Sequence, residues 1–331
     1  MAKMSKLPHM TNSDPTAAPA GVPANLANTH RPADRYGFVQ ASGARLRFAC
    51  WNGPAGGRGT VVVLPGRGEF IEKYATEAVG ELLDRGFAVY ALDWRGQGLS
   101  DRPLPDHDKG HVDNFITFMA DLKQFLDTVV APAAPRPILA VAHSMGGHVL
   151  LRHLAERGAG PLAAALTVSP MTGLHRQWLL QAVLTLAPEL PRVDHCYLPG
   201  GGPFARESRD FAKNIVTHDE RRFHFTDDWF RADPRLTLGG PTFGWGRQAL
   251  RSMAASLAPG MLERIDLPVL LVSASGDRLV DIASHGPVIA RIRHGRHVTI
   301  EGAAHEIMME TDPLLAQFWQ AFDRLADEIA G

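Results

Sequence analysis

From residue 36 onward, short unbroken apolar runs alternate with longer stretches whose apolar positions recur at helical spacing. The runs 60–64, 88–92, 138–141, 164–168, 269–272 and 297–300 predict buried strands, and 38–40 with 46–51 predict an opening hairpin around Ala41-Ser42-Gly43. Helical spacing fills 74–83, 115–130, 148–156, 282–292 and 313–329. A strand that is apolar along its whole length must be covered on both faces. The pattern therefore predicts an α/β chain with a mostly parallel, doubly wound sheet.

The alternation breaks between residues 171 and 259, a segment dense in Pro, Gly and aromatics, Trp178, Phe204, Phe225, Trp229 and Trp245 among them, and without a clear strand run. It reads as an inserted helical cap (171–259) between two parts of the core, 36–170 and 260–331. Most of its aromatics are expected to pack a small second core. Its entry point at the end of a central strand places it over the crevice where open α/β sheets bind ligands. Residues 1–35, rich in Pro, Ala, Asn and Thr and lacking an apolar core of signal-peptide length, are expected to form a disordered N-terminal tail.

Within this frame, Val141-Ala-His-Ser-Met-Gly-Gly147 joins a predicted strand to a predicted helix. A strand-to-helix turn that sharp presents a serine at an unfavourable backbone angle and crowds the positions two before and two after it, so both must be small. Here they are Ala142 and Gly146, with Ala adding one methyl to the usual Gly. Ser144 is the candidate nucleophile; the plainer alternative is a helix that begins with Ser as its N-cap.

A serine hydroxyl needs an imidazole to take its proton and a carboxylate to hold that imidazole in the right tautomer. On a nucleophile elbow the expected chain order is Ser, acid, His. After the run 269–272 comes the small polar loop Ser273-Ala-Ser-Gly-Asp277-Arg-Leu-Val-Asp281, and after the next run comes Glu301-Gly-Ala-Ala-His305. Asp277 is the candidate acid and His305 the candidate base. Asp281 is held in reserve, since its place before Ile282 suits an N-cap. Acyl transfer also needs donors aimed at the oxyanion. The backbone N–H of Met145, at a helix N-terminus, and that of Arg67, in the loop Pro65-Gly-Arg-Gly-Glu69, are the candidates. The stretch Asp93-Trp-Arg-Gly-Gln-Gly98 lacks the G-x-G-x-x-G spacing of a dinucleotide loop and reads as a structural turn, with Glu69 and Arg95 expected to pair across the two loops.

Composition narrows the function. A net charge of −1 argues against nucleic acid as a partner. Cys50 and Cys196 show no paired or metal-binding spacing, and the 15 histidines form no H-E-x-x-H or similar pattern. Neither metal nor cofactor is expected. No apolar stretch approaches the ~18 residues of a membrane span. A soluble cytoplasmic protein with at most peripheral membrane contact is expected, and oligomeric state leaves no signal.

Taken together, LPGRGEFIEKY from Leu64, ALDWRGQGLSD from Ala91, GHVDNF from Gly110, VAHSMGG from Val141, SASGDRLVD from Ser273 and GAAHEI from Gly302 resemble the α/β-hydrolases of the monoacylglycerol lipase and bacterial lysophospholipase group. The resemblance covers most of 36–329 apart from the cap. It implies the α/β-hydrolase fold, Ser144, Asp277 and His305 as a triad, and Arg67 and Met145 as the oxyanion hole. Pro65, where the lipases carry His, is similar to the lysophospholipase branch. The implied activity is serine-dependent hydrolysis of carboxylic esters of single-chain lipids through an acyl-enzyme, with a lipid or small-molecule ester as partner. The alternatives are a small-ester carboxylesterase and, outside catalysis, a hydrolase-like binding protein. Asp in place of Ser144 would have marked a dehalogenase or epoxide hydrolase.

Overall fold

The computed structural model describes residues 15–205 and 209–330. Its sheet has eight strands: β1 (Arg35–Ala41), β2 (Ala44–Trp51), β3 (Gly59–Leu64), β4 (Phe87–Leu92), β5 (Ile138–His143), β6 (Ala164–Val168), β7 (Val269–Ala274) and β8 (Gly295–Ile300). They are ordered β1-β2-β4-β3-β5-β6-β7-β8. The pairs β1–β2 and β2–β4 are antiparallel and the rest parallel. Strand β3 shows why an unbroken apolar run was required: Val62 and Leu64 join one core and Val61 and Val63 the other. The doubly wound α/β arrangement, with helices over both faces, agrees with the expectation.

Helices α1 (Ile71–Ala75), α2 (Ala78–Asp84) and α10 (Asp312–Ala330) contribute to one core, and α3 (Ile116–Phe125), α4 (Met145–Arg157) and α9 (His285–Ile289) to the other. The opening hairpin turns through Ser42 and Gly43, at φ 47° and 79°; a two-residue turn with both φ positive matches the right-handed twist of its strands.

Several helix boundaries differ from those read off the periodicity. The stretch 74–83 is two helices, α1 and α2, because the backbone leaves helical geometry at Glu77, at φ −141° and ψ −52°, and restarts at Ala78. The end of 115–130 widens into a π-helical turn over Leu126–Val130. The stretch 282–292 shrinks to one 3-10 turn and the short α9, in keeping with Gly286 and Pro287, both poor helix formers.

The expected disordered tail also needs correction. Residues 1–14 lie outside the described residues, but 15–34 pack on the body. Ala17 and Leu26 are buried, the Trp51 indole N–H donates to the Arg31 carbonyl at 2.8 Å, and Ala20 N–H donates to Asp233 at 3.1 Å. Polar composition concealed the two apolar residues that anchor this segment.

Between β6 and β7 lie α5 (Gln177–Leu186), α6 (Pro191–Asp194), α7 (Glu220–Ala232) and α8 (Phe243–Ser256), with no named strand among the described residues. Phe225, Trp229 and Phe230 form a separate buried cluster with Leu26, Phe70, Leu236 and Met309, while Trp245 joins the core of α3 and α4. These aromatics serve packing, as expected. No described helix is long and apolar enough to cross a membrane.

Candidate active site

Strand β5 ends at His143 and α4 begins at Met145, leaving Ser144 alone between them at φ 49°, ψ −115°. A non-glycine residue holds such an angle only when its surroundings over-determine it. They do here: Ser144 N–H donates to the Val168 carbonyl at 2.9 Å, and its own carbonyl accepts from His148 and Met171 at 3.1 and 3.0 Å. The crowding read from sequence is present too. A Cβ on Gly146 would lie 2.5 Å from the Pro65 carbonyl oxygen, whereas Ala142 is fully buried and its methyl is accommodated. The Ser144 side chain does not cap α4, so the plain N-cap alternative falls away.

Asp277 follows β7 and His305 follows β8, and the two are joined: His305 Nδ1 donates to Asp277 Oδ2 at 2.6 Å. With Nδ1 committed, Nε2 is the nitrogen left for proton transfer. The other Asp277 oxygen accepts from the N–H groups of Leu279 and Val280 at 2.8 and 3.0 Å. Burial alone would raise its pKa, but the His305 contact and these amides hold the carboxyl below the usual aspartate value. The two loops pack through Gly276, whose N–H donates to the Ala303 carbonyl at 2.8 Å. Asp281 takes the other role foreseen for it, accepting from Ala283 N–H at 3.1 Å as the cap of the following turn.

The loop 65–69 after β3 is held from behind. The Trp94 indole donates to the Pro65 carbonyl at 2.7 Å and the Gln97 amide to the Gly66 carbonyl at 2.6 Å, while Gly66 N–H donates to the Glu69 carboxylate. Among the described residues, the N–H groups of Arg67 and Met145 meet no backbone acceptor. The expected pair of Glu69 and Arg95 is absent. Arg95 instead binds Asp121 and the Ala41 carbonyl, because Glu69 turns inward to Lys73, Tyr74 and His143. Gln97, not Arg95, braces the two loops.

His143 is a residue that motif reasoning passed over. Its ring lies 4.8 Å from that of His305. Its Nε2 faces the His305 carbonyl at 3.2 Å and its Nδ1 faces Glu69 at 3.1 Å. Both neighbours are acceptors, so both bonds form only in the imidazolium. Burial lowers the His143 pKa, yet the Glu69 carboxylate outweighs it and the net shift is upward. Burial likewise opposes the Glu69 charge, but His143 and Lys73 hold that carboxyl well below its ordinary range. The adjacency to Ser144 was visible in the sequence; its partners, 74 residues earlier and 162 later, were not. Among the described residues one cluster has metal-like spacing, His111, Asp113 and His195, and it includes none of the site residues.

Residues 56–312 match the family described as serine aminopeptidase, S33. Lysophospholipase L2 of Escherichia coli (strain K12) is 31% identical over 299 residues, spanning 87% of this chain and 86% of that protein. Monoglyceride lipase of Homo sapiens is 25% identical over 244 residues, spanning 74% and 73%. The structure of a soluble variant of monoglyceride lipase from Saccharomyces cerevisiae superposes with a TM-score of 0.70 at 18% identity, covering 91% of this chain and 96% of that one. An elbow serine on a mostly parallel sheet, a histidine–carboxylate pair two loops away, and these matches place the chain in the S33 family of α/β-hydrolases.

Proposed function

We propose that Ser144, His305 and Asp277 form the catalytic triad of an ester hydrolase acting on single-chain lipids. The observation that carries the reading is the 2.6 Å bond from His305 Nδ1 to Asp277, beside a serine fixed at φ 49°. In this mechanism Ser144 Oγ attacks the ester carbonyl carbon as His305 Nε2 takes its proton. The developing oxyanion is met by the N–H groups of Met145 and Arg67. His305 then gives the proton to the leaving alcohol, and water cleaves the acyl-enzyme with the same groups in reverse. Asp277 holds the tautomer and offsets the imidazolium charge. His143 and Glu69 position His305 and the oxyanion loop and touch no substrate.

Residues 171–259 act as the cap over this site. Trp178, Leu179, Leu186 and Leu190 in and after α5 are 69, 43, 87 and 54% exposed, an apolar set suited to peripheral contact with a lipid surface. Lipid specificity draws support from the names of the relatives above. The test is kcat/KM over p-nitrophenyl esters from acetyl to dodecanoyl. Each buried methylene contributes about 0.8 kcal/mol, so the account expects a climb of roughly fourfold per carbon until the pocket is full. A flat or falling profile beyond butyryl would instead mark a small-ester carboxylesterase.

A further inference from the structure

Arg67 presents its two ends to different surroundings. Its main chain belongs to the loop beside Ser144. Arg67 also lines a cavity of about 350 Å³ whose other walls come from the core, including Lys73 and Glu306, and from the segment between β6 and β7, including Phe204, Arg209 and Phe230. Ser144 does not line this cavity, whereas Arg67 and Glu306, the residue after His305, do.

Among the described residues, the other basic groups that line it have carboxylate partners. Lys73 is paired with Glu69 and Glu306, each at 2.7 Å, and Arg209 with Asp227. Arg67 has no carboxylate partner among the described residues. One Nη donates to the Gly239 carbonyl at 2.7 Å, the guanidinium lies 5.4 Å from the centre of the Trp245 ring, and Nε is buried without an acceptor. Gly110 makes room for it, since a Cβ there would fall 2.2 Å from the guanidinium. A guanidinium offers five donors in a planar fork and retains its proton at neutral pH. A fork with one Nη bonded to Gly239 and Nε without an acceptor has donors left for an anion that accepts two bonds at once.

We infer that the Arg67 side chain receives the phosphate of a lysophospholipid, making this cavity a head-group site. The reach agrees. As many bonds separate the Arg67 N from its guanidinium carbon as separate the ester carbonyl carbon of a 1-acylglycerol phosphate from its phosphorus. An ester held at the Arg67 N–H can therefore lay its glycerol along the arginine stem and bring the phosphate to the fork. Burial lowers the Arg67 pKa to about 10, a penalty on the cation that a bound anion offsets. The inference rests on the ester-hydrolase reading above and adds the substrate class.

The test compares kcat/KM for three esters of one medium acyl chain, a 1-acylglycerol 3-phosphate, a 1-acylglycerol and a p-nitrophenyl ester, in wild type, Arg67→Gln and Arg67→Lys. A lost hydrogen-bonded charge contact is worth about tenfold or more. Arg67→Gln should lower the ratio of phosphate ester to neutral esters by that factor, and Arg67→Lys, which keeps the charge without the fork, by less. Equal loss on all three esters would show that Arg67 merely pins the loop to Gly239 and would overturn the inference. So would a wild type that favours the acylglycerol over its phosphate. Cleavage of the p-nitrophenyl ester with a ratio unmoved by substitution defeats the head-group site alone; absence of cleavage of every ester defeats the hydrolase reading with it.

Discussion

The loops at the carboxyl ends of β5, β7 and β8 and the helices of the segment between β6 and β7 are built on different principles. In the loops, backbone geometry does the fixing: Ser144 is set by amide bonds to Val168 and from Met171, and Gly276 locks the Asp277 loop to Ala303. In helices α7 and α8, side chains do it. Helix α8 is tied to α4 through Ser252, which meets His148 and Arg152, each at 2.7 Å. Helix α7 is tied to the core through Arg222, which reaches Glu77, Asp312 and the Glu310 carbonyl. Backbone-fixed positions tolerate few residue types, whereas side-chain ties can be replaced by other pairs. The chemistry of such a fold is therefore the constrained part and its substrate choice the variable part.

The sharpest way to break this division is Ser144→Ala, expected to lower kcat/KM by at least about a thousandfold while leaving Tm close to wild type. Retained turnover above that level, measured with any ester the wild type cleaves, would move the nucleophile elsewhere. Asp277→Asn should cost roughly 10³ to 10⁴ in kcat through the wrong His305 tautomer. Asp281→Asn should leave kcat within about twofold, as for a surface cap away from the reacting atoms. Reversed effects in steady-state kinetics would exchange the two aspartates.

How far the sequence alone reached follows the same line. The strands, the elbow, the Asp277 loop and the His305 loop were legible because each is a local pattern: an apolar run, a pair of small residues around a serine, a polar turn after a strand. What was missed depends on partners brought together by the fold. Glu69 looked like a partner for Arg95 until β5 placed His143 in front of it. The segment before β1 looked disordered until Ala17 and Leu26 found pockets. The fully buried cluster of Arg47, Glu72 and Asp93 was likewise invisible, since its members come from β2, α1 and the turn after β4.

His143 sharpens the comparison from inside the core. Replacing it with Gln should lower kcat roughly 10- to 100-fold by loosening His305. Its raised pKa means that its stabilising contribution is complete below the ordinary histidine value of 6.5 and fades as pH rises through the higher folded value. The depressed Glu69 contributes fully above its ordinary 4.5 and fades as pH falls through its lower folded value. The Tm gap between wild type and His143→Gln should therefore be widest between about pH 4.5 and 6.5 and narrow on the alkaline side. A gap that widens above neutrality would show that His143 is neutral in the fold.

The smallest expected effect lies in the segment. Trp178→Ser combined with Leu186→Ser should reduce binding to phospholipid vesicles in a flotation assay. The rate on vesicle-borne ester should fall several-fold relative to the rate on dissolved ester, a loss of about 1 kcal/mol in all. Shallow surface contact buries only a small part of each side chain, well short of the roughly 1.5–3 kcal/mol of full burial. An unchanged ratio would remove α5 from the lipid contact.

The central claim is that one serine, fixed at the β5–α4 turn, carries the chemistry. Active-site labelling with a fluorophosphonate tests it most directly. After digestion, mass spectrometry should locate a single adduct on Ser144, and Asp277→Asn should slow labelling while Asp281→Asn does not. An adduct on another serine, or labelling that persists in Ser144→Ala, would contradict the account.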